Sequence, residues 1–368
     1  MLINRNYNNK FVELWWKLDK TIFICFVFLI CIGILLVSTS SLFIAYKIKV
    51  NLFYFIKNHL MYLAVFLVLM FFVLYLTQRQ LIYFIIIGFL ASLVLTGLVF
   101  LVGSEIKGAK RWLYLGGISL QPSELIKAFF SSFIVYVFLF LQNKFNNKLK
   151  SYLAVSGVYG VIIFFLLLQP DFGMTILITA LFISFLFISG VSLKPLIAIF
   201  SLVTILAVGV YFLLPHVAYR VNSFFDSQAG YQVNKAMNAI YNGKLLGTGP
   251  GQGVVKEFLP DSHTDFIFTV ATEELGVLFN LLIILLYATV LVRCIIIAKS
   301  FNDSFKSLAL VMLAITLCLQ AVIHMLSNVN LIPTKGMTLP LVSYGGSSLL
   351  SSIIVFALIL ALSKKQIE

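Results

Sequence analysis

Acidic side chains are scarce in this chain. Thirteen Asp and Glu stand against 26 Lys and Arg in 368 residues, and charged residues of all kinds reach only 11%. Soluble domains carry about a quarter charged residues, so a water-exposed surface of ordinary size is excluded. Cysteine (4) and proline (8) are also few. Cys25, Cys31, Cys294 and Cys318 lie inside apolar runs, and none has metal-ligand spacing. They read as small buried apolar side chains. Strand-period alternation is absent along the spans, which excludes a membrane β-barrel. What fills the chain instead is apolar: 61% hydrophobic residues, 36 of them Phe, with mean hydropathy +1.06. The expectation is an all-α polytopic membrane protein in one integral membrane domain, residues 1–368.

A membrane span needs roughly 20 apolar residues. Ten segments approach that: 21–45, 59–76, 81–102, 123–141, 152–168, 172–191, 196–214, 266–292, 307–325 and 345–362. Ten spans put both termini on one side. The basic loops 142–150 (Lys144, Lys148, Lys150) and 293–306 (Arg293, Lys299, Lys306) assign that side to the cytoplasm. Arg5, Lys10, Lys17 and Lys20 precede the first apolar run, which is too long for a signal-peptide core and reads as a retained span. The net charge of +13 is spread through the loops. It points to membrane lipid headgroups and an anionic lipid-linked substrate rather than to nucleic acid.

The outer loops carry the chemistry. In 103–122, Lys110 and Arg111 stand beside Trp112. Two cations and an indole can hold a phosphate and stack on a sugar, or can anchor the chain at the interface. Glu124 and Lys127 share one helical face and can pair within a span. Asp171, after Pro170, can cap the next helix or serve a site. The longest polar segment, 215–265, contains a short amphipathic helix at 231–241, followed by GTGPGQG at 247–253. That glycine run matches neither a nucleotide-binding loop nor a dinucleotide fingerprint, so it reads as a turned loop, with phosphate contact as the alternative. The last outer loop, 326–344, holds Lys335 and leads into Gly345, Gly346, Ser347 and Ser348 at the start of the final span. A helix start there offers free N–H groups to an anion, or a small-residue packing surface.

Four of the acidic residues, Asp261, Asp265, Glu273 and Glu274, fall within 258–276, together with His263. Ionisable groups at membrane depth face protein, water or substrate. Asp265 precedes an apolar helix and is read either as its cap or as a reacting group.

Taken in order, GAKRW, QPSELIK, QPDFG, YQVNKAM, FLPDSHTDFIF with EELG, and PTKG with LPLVSYGGSSLL resemble the SEDS family of cell-wall polymerases, which includes FtsW, RodA and SpoVE. Thr334 and Lys335 bring the last motif nearer the septal FtsW branch. The chain departs from the common pattern at Asp261, at Ala271-Thr272, and at Leu278-Phe279. The resemblance implies a peptidoglycan glycosyltransferase. It would polymerise lipid II on the outer face of the bacterial cytoplasmic (inner) membrane, at the division septum. Undecaprenyl pyrophosphate leaves as the acceptor 4-hydroxyl attacks.

An alcohol is a weak nucleophile, so a carboxylate base is expected, and the resemblance assigns that role to Asp265. Lys110, Arg111 and Lys335 are candidates for the pyrophosphate. Substrate contact is expected also at Trp112, Glu124, Lys127, Asp171, His263, Thr264, Glu274, Ser343, Gly345 and Gly346. No cofactor is firmly implied; magnesium or manganese is compatible with pyrophosphate departure, but no ligand cluster has diagnostic spacing. The family usually partners a class B penicillin-binding protein transpeptidase, alongside other divisome membrane proteins. The alternatives are a RodA-like polymerase for cell elongation, a lipid II flippase, and a scaffold active only through a partner. A flippase needs a polar path across the bilayer, whereas a polymerase needs a polar cluster on one side.

Overall fold

The computed structural model describes residues 10–106, 109–115, 118–195, 231–333 and 336–364, with isolated positions between 197 and 222. The elements are α1 (Lys10–Lys17), α2 (Lys20–Lys47), α3 (Tyr54–Tyr75), α4 (Gln78–Val102), β1 (Ser104–Ile106), β2 (Ala109–Leu115), β3 (Ile118–Leu120), α5 (Pro122–Phe145), α6 (Lys148–Leu168), α7 (Phe172–Ile188), α8 (Tyr231–Gly243), α9 (Ile267–Lys299), α10 (Ser304–Asn328) and α11 (Gly346–Leu362).

Among the described residues, seven helices are long and apolar enough to cross a membrane, namely α2 to α6, α9 and α10. The shorter apolar helices α7 and α11 match two more expected spans. The segment 196–214 lies outside the described residues. The chain is therefore a multi-pass helical membrane protein.

Helix starts follow local chemistry. Asp19, Asn147 and Asp303 cap α2, α6 and α10 with side-chain oxygens, and Thr77 and Gln80 form a capping box at α4. Pro122 occupies the first turn of α5, where its missing N–H costs nothing. Helix α11 is buried along nearly its whole length, so it forms the centre of the bundle. By contrast α3, α4 and α6 turn large apolar side chains such as Val65, Ile87 and Leu153 outward. In lipid such exposure costs nothing, which is why hydropathy alone could not tell core from rim.

Two ends are distinguishable. At one, Asp19 accepts from Arg293 (3.0 and 2.8 Å), tying α2 to α9, and Gln78 meets Asp303 at the start of α10. At the other lie the sheet, the 244–266 segment and the 329–345 segment. This is the outer end of the predicted topology.

The expected loop at 103–122 contains an antiparallel sheet in the order β1-β2-β3. Trp112 pairs with Ser104 and Lys110 with Glu105 across β1, while Leu113 pairs with Leu120 across β3. Leu113 is buried while Lys110 and Tyr114 are exposed, the period of two a strand dictates. The strands are too short for this alternation to stand out against the interface signals around them.

Candidate functional site

The segment that carries Asp265 is folded before it reaches the membrane. Leu259 and Phe266 pack on Ala236 and Ala239 of α8. Asp261 turns the chain with φ +57°, and its carbonyl accepts the amides of Thr264 (3.1 Å) and Asp265 (3.0 Å). The carbonyls of His263, Thr264 and Asp265 are then taken up by residues much later in the sequence. The Tyr344 amide donates to His263 O at 2.9 Å, the Ser343 hydroxyl to Thr264 O at 2.6 Å, and Asn328 Nδ2 to Asp265 O at 2.9 Å.

Asp265 itself is partly exposed. A Cβ added to Gly336 would stand 3.3 Å from its Oδ2, so the last outer loop passes directly over the carboxylate. Lys335, one residue away in sequence, lies outside the described residues, as does Thr334. The helix cap of α9 is Phe266, which makes no side-chain cap hydrogen bond. The expected capping position for Asp265 is thus displaced by one residue.

A polar stripe on α10 supports this loop from below. Gln320 Nε2 donates to Thr338 O (2.9 Å), His324 Nδ1 lies 2.6 Å from Met337 O, and Asn328 reaches Asp265 O while its Oδ1 accepts from the Thr269 amide (3.2 Å) and hydroxyl (2.9 Å). Sequence reasoning missed all three. The signal was there: three polar residues spaced by four along a largely apolar helix lie on one face.

The same stripe holds the expected pair in α5. Lys127 donates to Glu124 and to Gln320 Oε1 (2.6 Å), and both charged residues are buried. Glu124, Lys127, Gln320 and Thr338 form one connected chain from α5 to the last loop.

Arg111 and Asp171 are brought together, but mostly by structural bonds. Arg111 Nε donates to Gln169 O at 3.1 Å and its terminal nitrogen to Pro170 O, with the guanidinium 4.0 Å from Asp171. Asp171 caps α7 through the Met174 amide (3.4 Å) and accepts from Ser123 (3.2 Å) and Gln121 (3.3 Å). Burial pushes its carboxyl above the ordinary range, an effect opposed by Arg111. Lys110 is exposed and Trp112 partly so, on the opposite face of β2 from Leu113. Gly345 is the cap residue of α11 with no side-chain bond, and a Cβ on Gly346 would touch the Tyr62 ring at 3.4 Å. Ser347 accepts the Gln121 amide (2.9 Å), joining this helix start to the end of the sheet.

His263 is buried against Phe55 and Tyr344, with ring centroids 4.7 and 5.3 Å away. Burial lowers its pKa to about 4 and raises that of Tyr344 to about 12.

The glycine run 247–253 has a different task from phosphate contact. Helix α9 breaks at Gly276 (φ +85°), which leaves carbonyls and amides without helical partners. The run and the residues before it supply them. Thr248 N donates to Glu273 O and Gly249 N to Glu274 O, both at 2.9 Å. In return Val277 N donates to Lys244 O (3.1 Å) and Leu278 N to Leu245 O (3.3 Å). A Cβ on Gly247 would fall 2.3 Å from Glu274 O, which explains glycine there. Glu274 is fully buried and paired with Lys256.

Among the described residues no group of three or more His, Cys, Asp or Glu side chains converges to hold a metal ion.

A helical bundle of this kind, with a carboxylate on its outer rim beneath a fixed loop, is a fold shared with known proteins. The model of the FtsW/RodA/SpoVE cell cycle proteins matches residues 19–368, and the chain belongs to that family. It is 35% identical to a probable peptidoglycan glycosyltransferase FtsW of Caulobacter vibrioides, over 96% of this chain and 90% of that one. The corresponding protein of Coxiella burnetii is 34% identical, over 95% and 96%. Its fold is similar to a chain in a solved peptidoglycan synthase complex that coordinates polymerization and crosslinking, with TM-score 0.77 and 25% identity over 95% of this chain and 98% of that one.

Proposed function

We propose that this protein is a septal peptidoglycan glycosyltransferase that polymerises lipid II and releases undecaprenyl pyrophosphate. The observation that carries the reading is the setting of Asp265. Its backbone is fixed from two other parts of the chain while its carboxylate lies at the outer rim, under Gly336. A general base needs that combination of fixed position and access. Asp265 takes the proton of the acceptor 4-hydroxyl as it attacks the donor sugar. Lys335, Lys110 and the start of α11 at Gly345 and Gly346 meet the pyrophosphate as its charge develops. Trp112, His263, Thr264 and Ser343 shape the surroundings. Glu124, Lys127, Asp171, Arg111 and Glu274 hold the frame, since each is engaged in an ion pair or multiple hydrogen bonds.

The polar clusters also weigh against a flippase. Glu124 to Thr338, Arg111 to Asp171 and Lys256 to Glu274 all lie toward the outer end, and α11 runs through the bundle centre with an apolar body. The basic loops 142–150 and 293–306 support cytoplasmic termini in the inner membrane, and the likeness to FtsW proteins supports a septal role. The likeness to a chain of a synthase complex that couples polymerization to crosslinking supports a crosslinking partner, which we read as a class B penicillin-binding protein among the divisome proteins. All described parts form one membrane domain.

The test is glycan-strand synthesis from lipid II by purified protein, with and without that partner, beside Asp265→Asn. Loss of general-base chemistry costs about 100- to 10,000-fold in rate, with lipid II binding and melting temperature retained. Near wild-type polymerisation by Asp265→Asn would remove Asp265 from the reaction.

A further inference from the structure

Glu273 is buried completely, yet no step of the proposed chemistry uses it. Both its oxygens are occupied. Oε1 accepts from Asn242 Nδ2 at 3.0 Å and from the Val255 amide at 2.8 Å; Oε2 accepts from the Lys256 amide at 2.9 Å. Two of these three donors are successive backbone amides of the outer segment. Next door, the Lys256 side chain pairs with Glu274 and donates to Thr39 O of α2 at 3.1 Å. Residue 253 must be glycine for the chain to come this close, because a Cβ there would sit 2.9 Å from Glu273 Oε2 and 3.3 Å from Glu274 Cγ.

Glu273 and Asp265 belong to the same helix and its entry. Eight residues separate them, about 12 Å along the axis at 1.5 Å per residue. The outer segment from Val255 to Asp265 therefore forms a strap with both ends on α9. Its lower end is held by the Glu273 carboxylate, and its upper end continues into the helix. Between them Leu259 is packed under α8, and Asp261 makes the tight turn that delivers Thr264 and Asp265. The break at Gly276 lies just below Glu273, so the half-helix that bears both residues is set apart from the rest of α9 and held by the 244–249 segment.

We propose that Glu273 is a positioning residue for Asp265: by binding the Val255 and Lys256 amides it closes the strap and fixes where the Asp265 carboxylate stands. Lys256–Glu274 and Gly253 serve the same closure. The inference rests on Asp265 being the base. A buried carboxylate facing paired amide donors is held by charge-assisted bonds, each stronger than a neutral one. A carboxamide at the same position presents only one acceptor oxygen, and its NH2 group is set against N–H donors.

The experiment compares wild type, Glu273→Gln, Gly253→Ala and Asp265→Asn as purified full-length proteins. It measures kcat and KM for lipid II, the pH dependence of kcat, and the melting temperature. For Glu273→Gln and Gly253→Ala the expected result is a fall in kcat of at least about tenfold with KM within about threefold, since a base displaced by an ångström loses rate rather than substrate. The acid limb of the kcat profile should also move, because the surroundings of the base have changed. A merely structural role lowers the amplitude through the folded fraction and leaves that limb in place, and this outcome overturns the inference. So does wild-type kcat in both variants while Asp265→Asn is inactive. If Glu273→Gln does not fold, Gly253→Ala decides by the same criteria, since it keeps every ionisable group. An active Asp265→Asn instead overturns the functional reading and the inference with it.

Discussion

The Ser343 hydroxyl donates to the Thr264 carbonyl at 2.6 Å and accepts the Leu339 amide at 2.9 Å. One side chain thus closes the last outer loop on itself and joins it to the residue before Asp265. Removing it leaves a buried carbonyl and amide without that partner, at about 1–3 kcal/mol. Ser343→Ala is expected to lower the melting temperature modestly and polymerisation more than proportionately. Equal activity per folded molecule in the mutant would confine Ser343 to stability.

Glu124 and Lys127 make a sharper case. Breaking a buried pair from one side leaves an uncompensated charge and costs about 3–5 kcal/mol, whereas replacing both partners by neutral groups is often close to neutral. Lys127→Met is expected to unfold far below wild type in detergent. Glu124→Gln combined with Lys127→Met should recover most of the loss, apart from what Gln320 forfeits. Thermal unfolding checks this, and a double variant no better than the single one refutes the pairing.

Gly276 has no room for a side chain. With φ at +85°, a Cβ would lie 2.2 Å from the Leu245 carbonyl. Gly276→Ala is expected to cost at least about 2 kcal/mol and to loosen the 244–249 segment. Protease protection of that segment in membranes gives the readout, and unchanged protection contradicts the role assigned to the break.

His263 gives a pH dependence with a definite sign. Its folded pKa is lowered to about 4, below the unfolded value near 6.5. The neutral ring thus contributes fully above about pH 6.5, and its contribution is lost as the pH falls toward 4. The size is up to about 3 kcal/mol. Melting temperatures of wild type and His263→Phe should converge or cross in that window, since Phe keeps the packing on Phe55 and Tyr344 without titrating. Parallel profiles would show that His263 is protonated without penalty.

Much of this architecture was legible in composition and pattern. Bilayer thickness sets the length of an apolar run, so helices such as α2, α4 and α10 can be read from hydropathy, along with caps at Asp171 and the pairing of Glu124 with Lys127. Short-range rules also located α8. Their reach ends with the helix turn. The sheet at 104–120 went unseen because its strands are only three to seven residues long. The Gly276 break and the segment that repairs it join positions some thirty residues apart, beyond the reach of any local spacing rule. Nor does anything local tell that Asn328, Ser343 and Tyr344 take up the carbonyls of 263 to 265. The sequence by itself determined that the chain crosses a membrane many times and carries a carboxylate at Asp265, because transfer free energy and residue type act locally. Which groups hold that carboxylate in place was decided only by the packing of α9, α10 and the last loop, because hydrogen bonds between distant segments exist only once the bundle brings them within 3 Å.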